Sequence, residues 1–140
     1  MSRKDDLLNA YEFEVHLGPL ISLSFSKISG LERSGEIGVI GSGGENDSMH
    51  FYKKPRRRPD VTRFETGWST GAMSSIQSFL FEGLVLNNIM IQIKRNGSTK
   101  KTLCIDRGIL TKISYSDLDA MDGKILIKTL EIQHNGVKEK

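Results

Sequence analysis

The 140 residues contain one cysteine, three prolines and one tryptophan, and no long apolar run. With Cys104 alone, no intramolecular disulfide can form, and its setting in "TLCID" reads as a structural thiol in a strand. No stretch approaches the length of a membrane span, and "MSRKDDLLNAYEFEV" has no apolar core of signal-peptide length. The expectation is a chain without a membrane anchor, made and kept in the cytoplasm or leaving by a route that needs no signal peptide. Charge of one sign is not in excess either: 20 basic against 17 acidic residues give a net +3, so basic character is local. Hydrophobic content of 37% and charged content of 26% fit one globular domain over residues 1–140. Such a chain buries roughly two-thirds of its unfolded surface and needs no metal or disulfide to hold it.

Recognisable chemistry is lacking too. There is no Gly-x-Ser-x-Gly elbow and no paired-carboxylate motif, and Asp117 and Asp119 in "SDLDAMDG" read as turn residues. A triad whose members meet only in space leaves no trace in sequence. The reading is non-enzymatic, with no cofactor. His16, His50 and His134 are scattered, and none stands at a ligand spacing from Cys104. His16 and His134 lie in strand patterns, where a surface or hydrogen-bonded histidine is the ordinary case.

What is present is alternation. "YEFEVHL" sets Tyr11, Phe13, Val15 and Leu17 against Glu12, Glu14 and His16, and "ISLSFS" repeats the pattern after Gly18-Pro19, which predicts a hairpin. A further strand is expected across Glu32–Ile40, and another from Asp60 to Trp68. The helical spacing of Met73, Ile76, Leu80 and Leu84, with Phe79 beside them, predicts one helix over Ala72–Asn87 packed on the core. "NIMIQIK", Asn96-Gly97 and "KKTLCID" predict a second hairpin; "GILTKISYS", Asp122-Gly123 and "KILIKTLEIQH" predict a third. In the last strand the apolar parity changes between Ile127 and Leu130, and a bulge near Lys128 would account for it. The fold class is mainly β: an antiparallel sandwich or barrel of about seven strands with one α-helix.

One stretch stands apart. Residues 41–59, "GSGGENDSMHFYKKPRRRP", hold three glycines, two prolines and five cations between Lys53 and Arg58. A loop this long inside a compact domain is uncommon without a function. Gly41, Gly43 and Gly44 match neither the dinucleotide nor the Walker spacing, and no helix start follows them, so a phosphate cradle is set aside. Lys53, Lys54, Arg56, Arg57 and Arg58, next to Phe51 and Tyr52, have the look of a nucleic-acid footprint. The same cations equally suit a solvated loop or acidic groups on a neighbouring subunit.

Taken in order, "NAYEFEVHLG", "SFSKISGLE", "GGEND" and "LDA" followed by "IKTLEIQHNGV" resemble the tail tube proteins of contractile-tailed phages and phage-like injection systems. The resemblance spans nearly the whole chain. Its "F-x-F-x-V"-type strand is at Phe13–Val15, its "SGLE" turn at Ser29–Glu32, its "GG-x-N" loop at Gly43, Gly44 and Asn46, and its "LEI-x-H-x-G" close at Leu130–Gly136. The chain departs from the family at Asn135, where Glu is usual, at Pro55-Arg56 in place of Pro-Gly, and at Phe79, where many members carry Trp. The resemblance implies a hexameric ring closing a shared barrel, stacked into the hollow inner tube of a contractile tail. That tube is driven through an envelope when the sheath contracts. Implied partners are other copies of the chain, the sheath protein, the baseplate or tube initiator, the tail terminator, and nucleic acid or protein cargo in the lumen. Assembly is expected in the producing cell's cytoplasm, and the mature location is the tail of a virion or particle. A baseplate paralogue that initiates the tube, a type VI secretion tube protein and a small nucleic-acid-binding protein are the alternatives. Phage, bacteriocin and other particles are not distinguished. Residues 41–59 are then an assembly arm, with Gly43, Gly44, Glu45 and Asn46 at its turn. Pro55 and Pro59 restrict its freedom, and Lys53, Lys54, Arg56, Arg57 and Arg58 face acids across the interface. The faces Glu12/Glu14/His16 and Ser22/Ser24/Ser26 suit either a lumen or an outer surface.

Overall fold

The computed structural model describes residues 11–19, 21–41, 49–67, 80–121 and 127–140. Ten strands follow in chain order: β1 (Glu12–Leu17), β2 (Ser22–Phe25), β3 (Lys27–Ser29), β4 (Ile37–Gly41), β5 (Met49–Lys53), β6 (Asp60–Gly67), β7 (Val85–Arg95), β8 (Ser98–Tyr115), β9 (Ile127–His134) and β10 (Lys138–Glu139). Eight form one sheet in the order β2-β1-β7-β8-β9-β6-β3, with β10 beside β8, and every pairing is antiparallel. β4 and β5 pair only with each other.

The alternation of β1 and β2 has its expected effect. Val15, Leu17, Leu23 and Phe25 are buried, while Ser22 and Ser24 face water. The two ends of the strand path, β2 and β3, are consecutive in the chain, separated by Ser26, whose N–H donates to Glu65 O at 2.8 Å. The sheet therefore curls so that Phe25 and Phe64 meet with ring centroids 5.3 Å apart. No strand ladder closes it into a barrel within the described residues. The core lies inside the curl, on Val15, Phe64, Ile89, Ile91, Ile105, Leu110, Leu130 and Ile132.

Several expectations need correction. The strand number is ten, not about seven, among the described residues, and none of these is helical. Met73, Ile76 and Phe79 lie outside the described residues. The end of the expected helix is not helical: Phe81–Leu84 turns on Gly83 (φ +95°), and Val85–Asn87 already belongs to β7. Leu80 is buried and Leu84 packs on the core, both by reaching it from this turn. β8 is one strand of 18 residues where two were expected. Arg107, left between the two expected strands, pairs opposite Asn87; Asp106 and Arg107 are both exposed, and Gly108 comes so close to Ile132 that a Cβ would sit 2.6 Å from its Cγ2. The bulge is not at Lys128. β9 keeps unbroken register with β6 from Ile127 to His134, and the extra residue is Thr111 of β8, between Leu110 and Lys112. The alternation of β9 is unbroken, so Ile127 faces outward and Lys128 takes the core side. The strand expected over Glu32–Ile40 shortens to Ile37–Gly41. Asp122-Gly123 lies outside the described residues.

Candidate functional site

Among the described residues of 41–59, Gly41 and Met49–Lys53 are strand. Met49–Lys53 returns as β5 along β4, which makes a two-stranded arm that leaves the main sheet. The register places Ile37 opposite Lys53, Val39 opposite Phe51 and Gly41 opposite Met49, all on one face of the ribbon. The other face carries Gly38 with Tyr52, and Ile40 with His50. Tyr52 lies directly over Gly38, so that face is partly covered by its own ring. The first face is bare: Met49 is 67% and Phe51 73% exposed. An isolated hairpin is marginal in water, and this one presents its apolar side to solvent.

The base of the arm is held firmly. Arg56 Nη2 donates to Asp60 Oδ2 at 2.8 Å and to Arg58 O at 3.3 Å. Arg56 Nη1 donates to Asn135 O at 3.1 Å and to Ser34 O. Ser34 Oγ donates to Asp60 Oδ1 at 2.6 Å, and Lys54 N–H to Glu36 O at 2.8 Å. Asp60 is only 4% exposed. Burial alone would push its carboxyl up, but hydrogen bonds from Ser34 and Arg56 more than offset this and hold it below the usual range.

Asp60 stands opposite His134 in the β6–β9 ladder, and His134 is 3% exposed. Its Nδ1 accepts the Gly136 N–H at 2.9 Å, which fixes the neutral tautomer with the proton on Nε2. Nε2 then donates to Thr62 Oγ1 at 2.6 Å, and Thr62 Oγ1 donates to Gly30 O at 3.0 Å. Burial holds the imidazole below its ordinary value, with Asp60 opposing that shift and Arg56 reinforcing it. Gly30 has φ +77°, and a Cβ there would lie 2.3 Å from Val61 O, so no other residue fits the turn. Val137 N–H closes the cluster on Glu32 O at 3.0 Å. Ser29–Glu32 and His134–Gly136, far apart in sequence, are thus two halves of one clamp.

Of the residues singled out from sequence, Gly43, Gly44, Glu45 and Asn46 lie outside the described residues. Lys53, Lys54, Arg57 and Arg58 are exposed on and beside the arm, and none makes an ion pair among the described residues. Arg56 is turned inward, and its hydrogen bonds are all within the chain. Sequence reading missed Ser34, Asp60 and Thr62 as parts of the clamp. It also missed the single apolar face of Ile37, Val39, Met49 and Phe51. That face had a signal, because period two on both sides of the glycines is the mark of a hairpin.

The described residues thus form a curled antiparallel sheet with a clamped, apolar-faced arm. The chain belongs to the T4-like virus tail tube protein gp19 family, which it matches over residues 9–138. Its fold is similar to that of a chain in the extracellular contractile injection system PVC sheath–tube complex in the extended state, at TM-score 0.70 and 17% identity, covering 91% of this chain and 87% of that one. It is similar to a chain of the anti-feeding prophage tube-terminating cap at TM-score 0.69 and 18% identity, with 91% and 87% covered. A chain of the six-fold symmetrised anti-feeding prophage baseplate gives TM-score 0.68 and 19% identity, with 94% and 93% covered. At these identities the likeness is one of fold. No curated protein matches in sequence.

Proposed function

We propose that this tail tube family member forms hexameric rings that stack into the hollow inner tube of a contractile tail or injection particle. The tube is the conduit that sheath contraction drives through a target envelope. The observation that carries this reading is the arm, whose apolar face is bare while its base is fixed by Arg56, Asp60 and Ser34. A monomer gains nothing from holding such a surface in water; a subunit docking on its neighbour gains apolar burial at low ordering cost. Support for ring closure comes from β8, where residues 98–101 pair with β7 and have no strand on their other side among the described residues. A neighbour's strand added there would remove that edge and extend the sheet around a shared barrel.

The role is mechanical, and no residue acts as a catalyst. The partners that fit are further copies of the chain, a sheath protein, an initiator or baseplate and a terminator, with nucleic acid or protein as cargo. A second reading is favoured by the equal likeness to the cap and baseplate chains: a paralogue that needs a template to assemble. Negative-stain electron microscopy of the purified protein at low and high concentration separates the two. Hollow tubes that lengthen with concentration are expected; monomers at every concentration would overturn the tube reading and favour the templated paralogue.

A further inference from the structure

The arm has a counterpart elsewhere on the molecule. Between β8 and β9, residues 116–121 present Leu118 at 70% and Met121 at 94% exposure, flanked by the exposed carboxylates Asp117 and Asp119. This loop is shaped by its own hydrogen bonds. Ser116 N–H donates to Ile127 O at 2.8 Å, Ile127 N–H to Ser116 Oγ at 2.9 Å, and Met121 N–H to Asp119 Oδ1 at 2.9 Å. Like the arm, residues 116–121 expose apolar side chains to water, and their charge has the opposite sign. Lys53 sits on the apolar face of the arm opposite Ile37, and Lys54 follows it.

The two surfaces do not cover each other within one chain, since Phe51 and Leu118 both stay exposed. The loop joins the first residue of β9, whereas the arm's base is clamped at the last, His134 and Asn135. Seven strand rises separate them, or about 23 Å. Two complementary surfaces at opposite ends of one subunit make a heterologous contact, which propagates from copy to copy.

We infer that the apolar face of one copy's arm docks on the β8–β9 loop of a second copy, with Lys53 and Lys54 against Asp117 and Asp119. Leu118 and Met121 pack on Val39, Met49 and Phe51, and the methionine sulfurs gain contact with the aromatic ring. The charges at the rim set the register and reject the reverse, arm-to-arm pairing. This inference rests on the reading of the chain as a stacking subunit and names the surfaces through which it stacks.

The test uses assembled protein in a Cys104→Ser background. With Phe51→Cys and Leu118→Cys on the same chain, oxidation of tubes should give a ladder of covalent multimers on a non-reducing gel, while each single variant stays monomeric. A double variant that forms tubes without a ladder would overturn the inference and leave the tube reading standing. Dimers from Phe51→Cys alone would overturn it too, because the arm would then meet another arm. Failure of the unmodified chain to form tubes would sink both. Charge exchange gives an independent readout. Asp117→Lys with Asp119→Lys, or Lys53→Glu with Lys54→Glu, should each cut tube yield at least about tenfold. All four changes together should restore it, and no restoration would count against the docking.

Discussion

The main sheet and the arm are made of similar residues, yet they stand in opposite relation to water. In the sheet, Val15, Phe64, Ile89 and Ile132 are fully buried, and β1, β7, β8, β9 and β6 each have a neighbour on both sides. In the arm, Ile37, Val39, Met49 and Phe51 belong to the same apolar classes and are exposed, with only one partner strand each. Local pattern makes both regions extended. Only the sheet completes its burial within the chain, so the sheet accounts for folding, and association is the role proposed for the arm.

Substitutions should separate the two roles, most strongly in the core. Phe64→Ala removes a fully buried ring that packs on Phe25 and should cost about 3–5 kcal/mol of unfolding free energy, read by urea denaturation. Next comes the clamp: Asp60→Ala leaves the half-buried Arg56 guanidinium without its carboxylate and should cost about 3 kcal/mol by the same measurement. If that variant kept full stability, the clamp would not be the anchor described here.

A smaller effect is expected from pH. His134 titrates lower in the folded chain than its ordinary value of 6.5, so the unfolded state binds the extra proton first. Its contribution to stability is complete above pH 6.5 and is lost progressively as the pH falls below that toward the depressed folded value. His134→Asn keeps an acceptor for the Gly136 N–H without a titrating group, and should flatten the thermal-melting profile between pH 7.5 and 5 by the His134 share. An unchanged slope would contradict the assignment. Smallest of all is Phe51→Asp, which places a charge on the exposed apolar face and is expected to change monomer stability by less than about 0.5 kcal/mol while abolishing tube formation. A loss of several kcal/mol there would mean that the arm belongs to the folding unit.

Much of the sheet was legible in sequence because its strands obey period two. β1 and β2 fall where alternation put them, β6 begins at Asp60 as expected, and Asn96-Gly97 turns with φ +55° and +77°, as a hairpin turn of that pair demands. Legibility failed where a strand changes direction without ending. Asp106-Arg107-Gly108 has turn composition but continues as strand within β8, where Arg107 pairs opposite Asn87 and Gly108 packs against Ile132. The helical spacing from Met73 to Leu84 misled at its end, because Leu80 and Leu84 reach the core across a tight turn on Gly83, and no spacing rule anticipates that. Of the site, the position of the arm was legible from its glycines and cations. Its clamp was not, because Ser34, Asp60, Thr62 and His134 come together only through the β6–β9 pairing.

Amide hydrogen exchange, compared between dilute monomer and assembled tubes, tests the central claim most directly. Residues 37–41 and 49–53 should exchange rapidly in the monomer and become protected at least about 100-fold in tubes, while β7 and β9 stay equally protected in both. Equal protection of the arm in the two states would contradict the account, because the arm would then be completed by its own chain.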